Sequence, residues 1–148
     1  MSVSAFFEEI SGGMTKEEAF MALLLSSVWI DRRDDAREIE EKRALEKRSR
    51  TLAALSADQI REIKERLRSR TTPDRINHLI EDACTSLANE NADVRLSIFA
   101  HCTDIVFADR RLDKSEKSFL TDLSHRLSLD EKEAALLLRA LKDKNRVS

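Results

Sequence analysis

Tyrosine is absent from this chain of 148 residues, proline occurs once and glycine twice. With so few obligatory breaks, long regular segments are possible. Aromatic residues make up 5% of the chain, and Leu, Ala, Glu, Lys and Arg dominate. A sheet would want β-branched and aromatic residues, whereas this composition favours helix. No stretch alternates apolar and polar residues in the manner of a strand. There are two cysteines, Cys84 and Cys102. Both lie in apolar helical patterns and read as buried free thiols in a reducing compartment. The first ten residues include Glu8 and Glu9 and lack a basic start followed by an apolar core, so no signal peptide is expected. The longest apolar run, Ala19 to Ile30, has 12 residues. That is short of the ~20 needed to span a bilayer. No direct membrane insertion is expected, and the expected location is the cytosol.

Neither charge sign is in excess. Charged residues form 36% of the chain, yet the formal net charge is −2. The most basic stretch, Arg32 to Arg70, holds 13 Lys and Arg, but its signs are interleaved and residues 30–98 contain no Phe, Trp or Tyr. Neither a basic face nor a stacking platform is present, so nucleic acid is not an expected partner. P-loop, glycine-rich dinucleotide turn, C-x-x-C and H-E-x-x-H motifs are missing. The chain reads as a non-enzymatic domain.

What is present is a legible succession of helices. A short helix is expected over Ser4 to Ile10, ended by Ser11-Gly12-Gly13. Thr15 with Glu18 forms a capping box that opens a helix near Lys16 and runs through Ile30. A charged helix follows over about Ala36 to Arg50, with Ile39, Leu45 and Leu52 facing inward; its charged side is a solvated face or a docking face for a partner. Ser56 with Gln59 opens the next, where Ile60, Ile63 and Leu67 share one side. Thr72-Pro73 reads as an N-cap with proline in the first turn. The helix after it buries Ile76, Leu79, Ile80, Ala83 and Leu87. A helix over about Asp93 to Ala108 and another from Lys114 to Leu127 come next. Ser128 with Glu131 is expected to cap the last, which buries Leu136, Leu137, Leu138 and Leu141. The fold class is therefore all-α: one compact domain, 1–148, of seven to eight helices.

Two helices, Ala19 to Ile30 and Val94 to Ala108, are apolar nearly all round and are expected at the centre. Each hands over to the same string, D-R-R-x-D-x-x-E, at Asp31 to Glu38 and again 78 residues on at Asp109 to Glu116. At this spacing Ala22 aligns with Ala100, Val28 with Val106, Leu45 with Leu123 and Arg48 with Arg126. Further on, Leu55-Ser56 corresponds to Leu127-Ser128. These matches imply a duplicated unit, with halves of approximately 15–70 and 93–144 related by a pseudo-twofold axis.

The duplicated pattern resembles the TerB-like family of tellurite-resistance proteins, whose relatives include the N-terminal domain of a membrane-anchored DnaJ-type co-chaperone. The family pattern is an apolar helix, then Ala-Asp-Gly, then a glutamate seven residues after the aspartate, twice over. Here the copies are Phe107-Ala108-Asp109 with Glu116, and Trp29-Ile30-Asp31 with Glu38, within a likeness extending from about Thr15 to Lys142. The family's glycine is replaced by Arg32 and Arg110, which puts a cation beside each aspartate. The resemblance implies a stress-response domain that acts through protein contacts, and acidic sites that bind a divalent cation, calcium or zinc.

Six carboxylates repeat in these corners: Asp31, Asp35, Glu38, Asp109, Asp113 and Glu116. Two readings are open for them. Hard cations take several oxygen ligands, although the spacing is not that of an EF-hand. Alternatively, Asp35 with Glu38 and Asp113 with Glu116 are D-x-x-E capping boxes at helix starts, and Asp31 and Asp109 pair with arginines. Among the three histidines, His101 lies one turn from Asp104 but reads as a packed groove histidine. A homodimer and an unidentified protein partner are the expected associations. An enzyme with a dispersed carboxylate site is the alternative, and it requires a deep pocket lined by some of the six plus a histidine. A purely structural oligomerisation module is another.

Overall fold

The computed structural model describes residues 3, 14–31, 43, 45, 52–53, 55–107 and 112–147. The expected helix at Ser4 to Ile10 and most of the one at Ala36 to Arg50 lie outside them. Of the latter, Arg43 and Leu45 are helical, and Leu45 is buried.

Six helices are described in full, with no strand among the described residues: α1 (Lys16–Asp31), α2 (Ala57–Arg68), α3 (Ile76–Ser86), α4 (Ala92–Phe107), α5 (Lys114–Arg126) and α6 (Glu131–Val147). They form a compact all-helical bundle. Its centre is α1. Every residue from Ala19 to Val28 is at most 2% exposed, Ser26 and Ser27 included. A helix without a polar side has no surface to offer water, so α2, α3, α4 and α5 all pack on it. Its two buried serines donate to the Ala22 and Leu23 carbonyls one turn back, which satisfies them without an outside partner.

The neighbours are amphipathic and turn their apolar stripes inward. On α2 these are Ile63 and Leu67 with half-buried Ile60. On α3 they are Ile76, Leu79, Ile80, Ala83 and Cys84. On α5 they are Phe119, Leu120 and Leu123, continued by Leu127. Met14 N–H donates to Ser86 Oγ at 3.1 Å, and Arg66 reaches Glu18 at 3.5 Å. The start of α1 is thus tied to the ends of both α3 and α2.

The second apolar helix departs from expectation. In α4, Ile98, Phe99, Cys102, Thr103 and Val106 are buried, but Val94, Leu96, Ala100, Ile105 and Phe107 are half-buried and Ser97 is exposed. α4 packs on α1, α5 and α6 and keeps one flank near the surface. Matched positions accordingly agree in part. Val28 and Val106 are both buried, as are Leu45 and Leu123, whereas Ala22 is buried and Ala100 half-buried.

Helix starts confirm three local readings. Ser56 and Gln59 exchange both bonds of a capping box, and so do Asp113 and Glu116. Thr15 Oγ1 accepts from the Glu18 amide at 3.1 Å, which is one of the two bonds of the capping box expected there. Three others are corrected. α3 starts at Ile76 because residues 73–75 form a turn, in which the Thr72 hydroxyl donates to Asp74 instead of capping an amide. α6 is capped by Asp130, whose Oδ1 accepts from the Lys132 and Glu133 amides, and not by Ser128. Finally, Leu136 is 68% exposed, while Leu137, Leu138 and Leu141 are half-buried. Successive helical residues point about 100° apart, so on a helix packed chiefly against one neighbour, unlike the central α1, three leucines in a row cannot all face inward.

Candidate functional site

Of the six repeated carboxylates, Asp35, Glu38 and Asp109 lie outside the described residues. Asp31 is the last residue of α1. Asp113 and Glu116 stand at the start of α5. Asp113 is in extended conformation (φ −82°, ψ 176°), and its Oδ1 accepts from the Glu116 amide at 2.8 Å. Glu116 Oε1 accepts from the Asp113 amide at 3.5 Å. The two carboxylates differ in setting: Asp113 is exposed, and Glu116 is 5% exposed. Each is committed to a backbone amide at the positive end of the helix, the arrangement that stabilises negative charge there. Among the described residues no three His, Cys, Asp or Glu side chains are grouped to hold a metal ion.

A different feature emerges where the starts of α1 and α4 meet. A groove of about 320 Å³ opens there, lined by Lys16, Glu17, Phe20, Asn91, Asp93, Val94, Ser97, Ile98 and His101. Its floor is apolar, from Phe20, Val94 and Ile98. Its rim carries one ammonium and two carboxylates. His101 stands edge-on to the Phe20 ring, with centroids 5.5 Å apart and planes inclined at 61°. That bears out the packed-histidine reading. Asp104 sits 3.6 Å from Lys144 on α6. The two helix starts do not turn the groove into an anion cradle: Thr15 Oγ1 and Asn91 Oδ1 already accept from the Glu18 and Val94 amides. Of the repeated carboxylates, the two whose side chains are described, Asp113 and Glu116, do not line this groove.

The groove was not foreseen from sequence. Its lining comes from two helices more than 70 residues apart in the chain. Asn91 could have been read as an N-cap, since Asn is among the preferred residues there.

Arg70, His78 and Asp82 form a polar cluster joining the α2 end to α3. Arg70 Nη2 binds Asp82 Oδ2 and lies 3.0 Å from His78 Nδ1. In the interior, Cys84 and Cys102 are both buried and neither is in a disulfide, as expected. Burial pushes the Cys84 thiol up to about 12, with a further contribution from Cys102. A thiol so placed is a small apolar group rather than a nucleophile.

The structure is an all-helical domain built round one buried rod, with a capped acidic corner and a small groove of apolar floor. The chain belongs to the TerB family: the family model described as Tellurite resistance protein TerB matches residues 17–139. The match covers all of α2 to α5, nearly all of α1 and the first half of α6. No curated protein and no solved structure matches the chain.

Proposed function

We propose that this chain is a protein-interaction domain of the TerB type that serves a cytosolic stress response without catalysing a reaction, and that the groove between α1 and α4 receives its partner. The observation that carries the reading is the groove's make-up: a small apolar floor within a rim of both charge signs. Such a rim orients a peptide side chain, while burial of the apolar centre supplies affinity. An acid–base site requires a titratable group near a substrate position and an orienting partner for it. Here His101 packs against Phe20.

The test is capture of partners from native cytosol with the wild-type chain and with Ser97→Arg. Ser97 is exposed, so the variant obstructs the groove and leaves the core intact. Loss of specific partners at unchanged melting temperature is expected. An identical partner set for both proteins would overturn the groove assignment.

A second reading concerns the acidic corners. The duplicated string in the sequence and exposed Asp113 favour a weak divalent-cation site, calcium or zinc, built from Asp31, Asp35 and Glu38 in one corner and Asp109, Asp113 and Glu116 in the other. NMR shifts during a calcium or zinc titration test it. Unmoved resonances at Asp31, Asp35, Asp109 and Asp113 at millimolar ion reject it.

A further inference from the structure

We infer that the outward side of α6 is a contact between two copies of this chain, arranged antiparallel about a twofold axis. α6 lies on α4 at the outside of the bundle. Its inner side carries buried Ala134 and half-buried Leu137, Leu138 and Leu141. The opposite side presents Lys132, Ala135, Leu136, Arg139, Ala140 and Asp143, all exposed. Leu136, at 68%, is the most exposed large apolar side chain among the described residues of the C-terminal half. One exposed leucine is unremarkable alone. Its surroundings give it meaning.

Lys132, Leu136, Arg139 and Asp143 follow one another at spacings of four, three and four. Spacings of four and three put all four side chains on one face of the helix. In a parallel pair, each side chain would meet its own kind: lysine on lysine, arginine on arginine, aspartate on aspartate. Such a pairing repels at every charged position. Reversing one helix about an axis between Leu137 and Leu138 changes each encounter. Lys132 then faces Asp143 of the second copy, Ala135 faces Ala140, and Leu136 faces Arg139. The twofold axis repeats each pairing, which gives two ion pairs and two leucine–arginine contacts. The aliphatic stem of Arg139 covers Leu136, and the alanines allow the backbones to approach. The charge order along α6 therefore selects both the second copy as occupant and the antiparallel direction.

A single pair of helices buries less surface than the roughly 1,200 Å² at which stable complexes begin, so the association is weak and reversible. The groove between α1 and α4 takes no part in it, and the inference stands or falls separately from the function proposed for that groove.

Sedimentation equilibrium of the full chain, from micromolar to millimolar at low salt, is the test. A concentration-dependent shift from monomer to dimer is expected. Leu136→Asp should weaken association by about tenfold or more at unchanged melting temperature. Lys132→Glu should weaken it, because glutamate then meets Asp143, and adding Asp143→Lys should restore it. A wild-type chain that stays monomeric at millimolar concentration would overturn the inference. So would a dimer indifferent to Leu136→Asp, or a charge-reversed double variant no better than the single one.

Discussion

Arg95 on α4 donates through its guanidinium to the carbonyl of Ser128 at 3.0 Å and to that of Leu127, where α5 ends. Ser128 itself adopts φ 54°, the left-handed conformation that glycine accepts most readily. Its amide donates to His125 and that of Leu129 donates to Ser124, the pair of bonds that closes a helix C-terminus. A cation thus sits at the negative end of α5, bonded to the carbonyls of the two residues that follow it. Ser128→Gly should stabilise the fold by about 1 kcal/mol by relieving this conformation. Arg95→Met, which keeps the aliphatic stem, should destabilise it by about 1.5–3 kcal/mol. Thermal melts of the two variants check both signs.

Asp113 offers a separation of cap from charge. Asp113→Ala should cost about 1 kcal/mol in urea unfolding, whereas Asp113→Asn keeps an equally good cap and should be nearly neutral. A cation site would respond differently, since Asn lacks the charge. Calcium titration of the Asn variant should show weaker binding than the wild type at matched stability. Equal affinity in the two proteins would sink the cation reading at this corner.

Cys84 predicts an alkaline loss of stability. Its folded value of about 12 lies above the ordinary 9.0, so above pH 9 the unfolded chain gives up a proton that the folded chain retains. Stability then falls as pH rises from 9 toward 12, with a limiting slope of about 1.4 kcal/mol per pH unit from this group. Urea unfolding at pH 8 and pH 10 should show the fall, and Cys84→Ala should flatten it. Iodoacetamide should modify Cys84 slowly in the native protein and quickly in urea.

Leucines at opposite extremes of burial test the architecture. Leu23 in α1 is 0% exposed and Leu136 in α6 is 68% exposed. Leu23→Ala should destabilise the monomer by about 2–5 kcal/mol, the range for a buried leucine. Leu136→Ala should change monomer stability by less than about 0.5 kcal/mol. Equal losses would contradict the placement of α6.

The chain's own order of residues was enough to determine that it is helical, that the apolar segment Ala19 to Ile30 is a largely buried rod, and that Ser56 and Asp113 begin helices. Each of these depends on neighbours within one turn: a cap needs only a side chain three residues from an amide, and a rod only the lack of a polar side. Tertiary packing alone decided that α4 keeps one flank near the surface and that Leu136 faces outward. It also decided that Ser128 closes α5 instead of opening α6, although the string Leu127-Ser128 matches Leu55-Ser56. Arg95, 33 residues away from Ser128, arrives there only once α4 and α5 have packed. The groove has the same origin, because Phe20 and His101 meet through helices that no local periodicity relates. Hydrogen bonds within a turn are fixed by short-range spacing, whereas clefts and exposure depend on how distant segments share a finite core.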